Sequence, residues 1–192
     1  MPLAEDELID TVLGLDTLSE LPRTGWLLRG IRPCESIADH TCGVALVAML
    51  LTDRVRGAGH AVNGERVLRL ALVHDAPEAR LGDVPMPAKT AEAARAFDAL
   101  EERLASELLP EPYLELWREA ERGETLEARI VRASDKLQMM LKVLAYERSG
   151  RGELGEFWAN PKNFRHMELP EARAVFERIC QRAGREMPVG AG

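Results

Sequence analysis

The stretch Val67-Leu68-Arg69-Leu70-Ala71-Leu72-Val73-His74-Asp75 decides the fold class. It lacks the apolar–polar alternation of a half-buried strand, and its apolar residues predict a helix that runs into His74 and Asp75. An aspartate beside a histidine at the end of such a helix is costly to bury without a partner. A divalent cation satisfies both, because neutral imidazole and carboxylate are its common ligands; a pair that caps the helix or faces solvent needs no cation. Glu78 follows His74 by four residues. It shares the His74 face if the helix continues one turn, and is a solvated helix-end acid if it does not.

The rest of the chain also reads as helices between Pro and Gly punctuation. Leu8, Ile9, Val12, Leu13 and Leu15 predict a first amphipathic helix. Pro22, Gly25, Gly30 and Pro33 mark a loop. The next helix runs from near Ser36 to about Arg56, with Asp39 in its first turn. It is apolar on nearly every side and is expected to be central and buried. After the turns at Pro77, Gly82, Pro85 and Pro87 come a long helix over 88–109 and a short one around Leu114, Leu116 and Trp117. A strong helix over 125–147 carries a stripe at Leu126, Ile130, Ala133, Leu137, Leu141 and Leu144. A loop with Gly150, Gly152, Gly155 and Pro161 precedes a last helix over 168–183, and the tail 184–192 is expected to fray. No stretch supports a strand, so the expected fold is all-α, one compact bundle spanning 1–192.

Composition narrows the function. The 192 residues are 46% hydrophobic and 30% charged, as in a soluble domain, and the 5% aromatic content leaves the core to aliphatic side chains. Acids outnumber bases 32 to 25, for a net charge of −7 and a pI near 5.3. That balance argues against a nucleic-acid polymer as partner, which needs a basic surface, and leaves a small phosphorylated substrate open. The longest apolar run, 44–51, is too short to span a bilayer, which takes ~20 residues. Residues 1–7 are acidic and do not read as a signal peptide. Cys34, Cys42 and Cys180 are expected to be free, small buried thiols in a cytoplasmic protein.

Four histidines are available: His40, His60, His74 and His166. His40 opens the most apolar helix. Asp135 lies about 160° round the 125–147 helix from Leu137, on a face with Ala128, Val131 and Met139. It is expected to be partly buried, either as a ligand or in a salt bridge with Arg132 or Lys136. His60 reads as an exposed bystander and His166 as structural. Trp26 offers an apolar body and one N–H donor, suited to stacking on a sugar or base, or to anchoring its loop.

Five segments in order extend this pattern: Leu21-Pro22-Arg23-Thr24-Gly25-Trp26, Arg32-Pro33-Cys34-Glu35-Ser36-Ile37-Ala38-Asp39-His40, Ala71-Leu72-Val73-His74-Asp75-Ala76-Pro77-Glu78, Gly82-Asp83-Val84-Pro85 and Ala133-Ser134-Asp135-Lys136-Leu137. Together they resemble the HD phosphohydrolase superfamily, and most of all the small HD-domain 5′-deoxynucleotidases. The resemblance covers about residues 18–180 and implies a single HD domain. It implies His40, His74, Asp75 and Asp135 as ligands of one divalent metal. The donor set, without thiolate, suits Mn, Co, Fe, Ni or Zn. Extra histidines for a second metal are lacking between His74 and His166, which favours hydrolysis over oxygen chemistry.

The resemblance further implies Glu78 as the catalytic acid that positions or deprotonates water. Asp83 would contact the sugar or protonate the leaving oxygen, and Trp26, Asp83, Pro85 and Met86 would line the nucleoside pocket, with Asp75 and Asp135 beside the phosphate. Gly25 stands where some bacterial members carry a phosphate-orienting arginine; Arg23, Arg29, Arg32 or Lys89 would replace it. The implied reaction is hydrolysis of (deoxy)ribonucleoside 5′-monophosphates by a homodimer, with the 91–109 helix offering a surface. Other readings are hydrolysis of an alarmone, cyclic nucleotide or sugar phosphate, or metal and nucleotide binding without turnover.

Overall fold

Two long helices, each opened by a hydroxyl cap, form the centre of the molecule. The computed structural model describes residues 2–85, 90–166 and 168–190. Helix α3 (Ile37–Gly57) begins where the Ser36 hydroxyl accepts the Asp39 amide and the Asp39 carboxylate accepts the Ser36 amide, a reciprocal cap. Helix α8 (Leu126–Arg148) begins where the Thr125 hydroxyl accepts from the Ala128 amide. They pack along each other. Ile37, His40, Val44, Ala48, Leu51 and Val55 recur on the inner face of α3 and meet Ile130, Ala133, Leu137 and Met140 of α8, all buried.

Helix α4 (Gly64–Val73), capped by Asn63, lies against both, and α7 (Tyr113–Arg122) and α10 (Pro170–Ala183) close the bundle around α8. Helices α1 (Glu5–Leu15), α2 (Thr24–Leu27), α5 (Glu78–Leu81), α6 (Ala91–Leu108) and α9 (Gly155–Ala159) complete the order, with 3₁₀ turns at Asp16–Ser19 and Pro161–Phe164. Among the described residues there is no strand, only an isolated bridge between Pro22 and Ser36. The all-α expectation holds.

Several expectations need correction. The apolar circumference of α3 is not all buried: Leu46, Met49 and Leu50 face outward. Helix α1 forms, yet buries none of its side chains, and Leu8, Ile9, Val12 and Leu13 are all more than half exposed or nearly so. Periodicity reports an apolar stripe but not whether the same chain covers it. Of the α6 surface offered for self-association, the C-terminal part turns inward, with Leu104, Ala105 and Leu108 in the core, while residues 92–100 stay at least partly exposed. The two loops conceal α2 and α9, each shorter than any periodic window can register. Of the thiols, only Cys180 is buried; Cys34 is half-buried and Cys42 exposed, and all three are unpaired. Met86, Ala88 and Lys89 lie outside the described residues.

The helix read into His74 stops at Val73. Pro77 has no N–H to give the Val73 carbonyl, so the ladder ends there. Tighter bonds from the Ala76 amide to Val73 and from the Glu78 amide to Asp75 turn the chain, and Glu78 starts a new helix, α5. Glu78 therefore does not continue the α4 face.

Candidate active site

Three crossing elements bring four distant side chains together. His40 comes from the first turn of α3, His74 and Asp75 from the turn that ends α4, and Asp135 from the middle of α8. His40 Nε2 lies 3.3 Å from Asp135 Oδ1 and 3.6 Å from Asp75 Oδ2. His74 Nε2 lies 3.3 Å from Asp75 Oδ2, and the imidazole centroids are 5.7 Å apart. His40, His74 and Asp135 each offer a ligand atom within 4.8 Å of the others. His74 Nδ1 is 2.7 Å from the Ala71 carbonyl, which can only accept, so Nδ1 carries the proton and Nε2 a lone pair.

The Nε2 atoms of His40 and His74 and Oδ2 of Asp75 are buried without a hydrogen-bond partner. Leaving such atoms unsatisfied costs about 1–3 kcal/mol each. Their lone pairs converge, and a cation accepts all of them at once, so this donor set fits a divalent metal ion. Burial pushes the Asp75 carboxyl up, but the rings of His74 and His40, when protonated, together with Arg23 outweigh it and hold the group below its ordinary range. Burial likewise works against Asp135, and Lys136, His40 and His74 hold it well below. The Lys136 ammonium sits 2.7 Å from Asp135 Oδ2, so the salt bridge weighed for Asp135 exists beside its place in the cluster.

A cavity of about 260 Å³ opens over the cluster, with His40, Asp75 and Asp135 in its wall. Of the residues expected to meet substrate, Arg23, Trp26, Arg29, Glu78, Asp83 and Pro85 also line it. Arg23 Nη1 reaches Asp83 Oδ1 at 2.9 Å, Glu78 Oε2 at 3.4 Å and Asp75 Oδ2 at 3.7 Å. Burial opposes its charge, yet Asp75, Asp83 and Glu78 raise its affinity for the proton further. Asp83 Oδ2 also accepts from the Gly25 amide at 3.3 Å. Arg29 is tied to Glu156 and the Gly25 carbonyl, and lies over the Phe157 ring. Arg32 is exposed and absent from the cavity wall, so it is dropped as a phosphate ligand.

Trp26 is 3% exposed and donates Nε1–H to Glu35 Oε1 at 2.8 Å, while its ring stacks on Phe157. It anchors the wall, and its donor is already spent; what it offers the cavity is apolar surface. Beside it, a Cβ on Gly25 would meet nothing within 4 Å. His60 is exposed, as expected. His166 adopts φ 66° and lines a second, smaller cavity that shares His74, Asp75 and Asp135.

Sequence reasoning missed Glu35, Lys136, Gln138 and Phe157, which also line the cavity over the cluster. Gln138 follows Asp135 by three residues on α8, the one-turn spacing that puts two side chains on a common face. Glu35 had no such signal.

A helical scaffold that gathers two imidazoles and two carboxylates beneath a small cavity defines a class, the metal-dependent hydrolases built on helices. Residues 15–174 match the HD domain family, and the chain belongs to it. It is similar to 5′-deoxynucleotidase HDDC2 of Xenopus laevis, at 34% identity over 83% of this chain and 81% of the relative. It is also similar to 5′-deoxynucleotidase hdd1 of Schizosaccharomyces pombe, at 36% identity over 76% and 78%. Among solved structures, the PH0347 protein of Pyrococcus horikoshii OT3 aligns with a TM-score of 0.79 and 35% identity, over 91% of this chain and 99% of that one. A predicted metal-dependent phosphohydrolase of Magnetospirillum magnetotacticum MS-1 aligns with a TM-score of 0.70 and 26% identity, over 94% of each chain.

Proposed function

We propose that this chain is a phosphomonoesterase that hydrolyses (deoxy)ribonucleoside 5′-monophosphates to nucleoside and phosphate. The relatives named as 5′-deoxynucleotidases support the substrate class. One observation carries the chemistry: the Nε2 atoms of His40 and His74 and Oδ2 of Asp75, all buried without a hydrogen-bond partner, converge beside Asp135 at the cavity wall. His40, His74, Asp75 and Asp135 would hold one divalent transition ion, Mn, Co, Fe, Ni or Zn. When bound, such an ion supplies Lewis acidity, offsetting phosphoryl charge and acidifying a water.

The protein's own groups do the rest. The Glu78 carboxylate orients the attacking water and takes its proton. Arg23 holds Glu78 and Asp83 in fixed relation; its charge is shared among three carboxylates, so it is a poor free phosphate ligand. Lys136, with Asp135 as its one ion-pair partner among the described residues, takes that role instead, and Lys89 and Arg29 remain secondary candidates. Asp83 serves the sugar or the leaving oxygen. Trp26 and Pro85 form the nucleoside wall, where an apolar face suits a sugar and base, and Met86 is assigned to the same role by the resemblance alone.

We read residues 1–192 as one domain and the protein as a cytoplasmic homodimer. The three unpaired cysteines support a reducing compartment. The exposed apolar residues of α1 and α3 support self-association. Among the described residues, no helix is long and apolar enough to cross a membrane. The deciding experiment is phosphate release from a panel of ribo- and deoxyribonucleoside 5′-monophosphates with Mn²⁺ or Co²⁺. Cleavage that disappears in Asp75→Ala is expected. No cleavage with any metal, or activity that survives the substitution, overturns the proposal.

A further inference from the structure

Behind His40 runs a buried chain of hydrogen bonds that ends at the nucleoside wall. Trp26 Nε1 donates to Glu35 Oε1 at 2.8 Å, and Gln138 Nε2 donates to Glu35 Oε2 at 3.1 Å. Gln138 Oε1 lies 2.7 Å from His40 Nδ1. The Lys142 ammonium sits 3.1 Å from Glu35 Oε2. Glu35, Gln138 and His40 are 5%, 7% and 1% exposed.

The polarity of this chain is fixed at its far end. A carboxylate surrounded by an indole N–H, an ammonium and an amide can only accept. Gln138 must then turn its NH₂ toward Glu35 and its oxygen toward His40. That oxygen only accepts, so Nδ1 of His40 carries a proton, and in the neutral ring the Nε2 lone pair faces the cluster that Asp75 and Asp135 complete. His74 needs no such help, because the Ala71 carbonyl of its own helix does the same work. The fold also makes room for the amide. A Cβ on Gly43, three residues after His40 on α3, would come within 2.9 Å of both Cγ and Nε2 of Gln138. Glycine inside a helix is unfavourable, so its presence there marks the space as needed.

We infer that Glu35 is a positioning residue: acting through the Gln138 amide, it sets the tautomer of His40 that is ready for metal, and it ties that ligand to the Trp26 wall. The inference rests on the reading of His40 as a ligand. Outer partners of this kind typically change metal affinity 10- to 100-fold when removed.

The test is Co²⁺ titration of metal-free protein, followed by visible absorption, with thermal melts of each variant alongside. Glu35→Gln keeps the shape but lets the Gln138 amide turn over and offer NH₂ to His40. Co²⁺ affinity is expected to fall about 10- to 100-fold, with little change in the melt. The exchange Glu35→Gln with Gln138→Glu rebuilds the polarity, since a carboxylate now accepts from Nδ1–H and an amide donates to it. That variant is expected to recover most of the lost affinity and the wild-type spectrum. Should loss of the Glu35 charge prevent folding, Gln138→Met cuts the same link while leaving Trp26 and Lys142 on Glu35, and the same fall is expected. Unchanged Co²⁺ affinity in Glu35→Gln or Gln138→Met overturns the inference alone. An exchange variant that stays as weak as Glu35→Gln also overturns it and leaves Glu35 a structural role. Wild-type protein that binds Co²⁺ no better than His40→Ala overturns the metal reading itself.

Discussion

Two of the polar clusters inside this bundle are finished differently. On α7, the buried Glu119 carboxylate receives Arg66 through Nε and Nη2, and the Thr125 hydroxyl at 2.7 Å. Burial pushes Glu119 up, but these donors hold it below its ordinary range. The second cluster joins His40, His74, Asp75 and Asp135, and three of its buried atoms have no hydrogen-bond partner. Both clusters are enclosed by apolar helices. The first is complete and fastens α4 to α7; the second is incomplete and calls for a ligand. Unmet valence, rather than burial or charge, separates a site from a strut.

The sharpest break between the two is expected from Asp75→Ala. It should lower phosphomonoesterase turnover by at least about 10³-fold, since metal-dependent charge stabilisation is worth several kcal/mol. Chelation of the wild type should do the same, reversed by added Mn²⁺ or Co²⁺, while urea unfolding of the metal-free variant should show a smaller loss than Glu119→Ala produces. Glu78→Gln comes next, with kcat reduced ~10²–10⁴-fold for a general base. Metal content by elemental analysis should stay at the wild-type level, because Glu78 stands outside the ligand set.

Glu119→Ala should show the opposite pattern. Loss of its charged hydrogen bonds should cost about 2 kcal/mol in urea unfolding, with kcat unchanged in the folded protein. The smallest effect is in acid. A carboxylate held below its ordinary range contributes stability above the unfolded value, near ~4.3 for Glu. That contribution is lost as pH falls through the lowered folded value. Unfolding free energy measured from pH 6 to pH 3 should therefore fall less steeply in Glu119→Gln than in the wild type.

The sequence was informative wherever the information is local. Ser36, Thr125 and Asn63 announce helix starts through their own side chains, and the observed caps follow. The four clustered residues were legible because five short segments keep their order along the chain. What escaped was long-range pairing. Glu35 and Gln138 are 103 residues apart, and neither alone predicts the other. The α4–α5 break was written in Pro77, but the attraction of a shared face for His74 and Glu78 concealed it. The exposed stripes of α1 and α3 escaped for another reason: an apolar face looks the same in sequence whether its cover lies within the chain or outside it.

The two glycines that border the site lie at opposite extremes of tolerance. A Cβ on Gly43 would force the Gln138 side chain to shift, whereas one on Gly25 meets nothing within 4 Å. A single base change turns a glycine codon into an arginine codon. A side chain at Gly25 is thus open to evolutionary tinkering without backbone rearrangement, while one at Gly43 must first displace the Gln138 amide that touches His40.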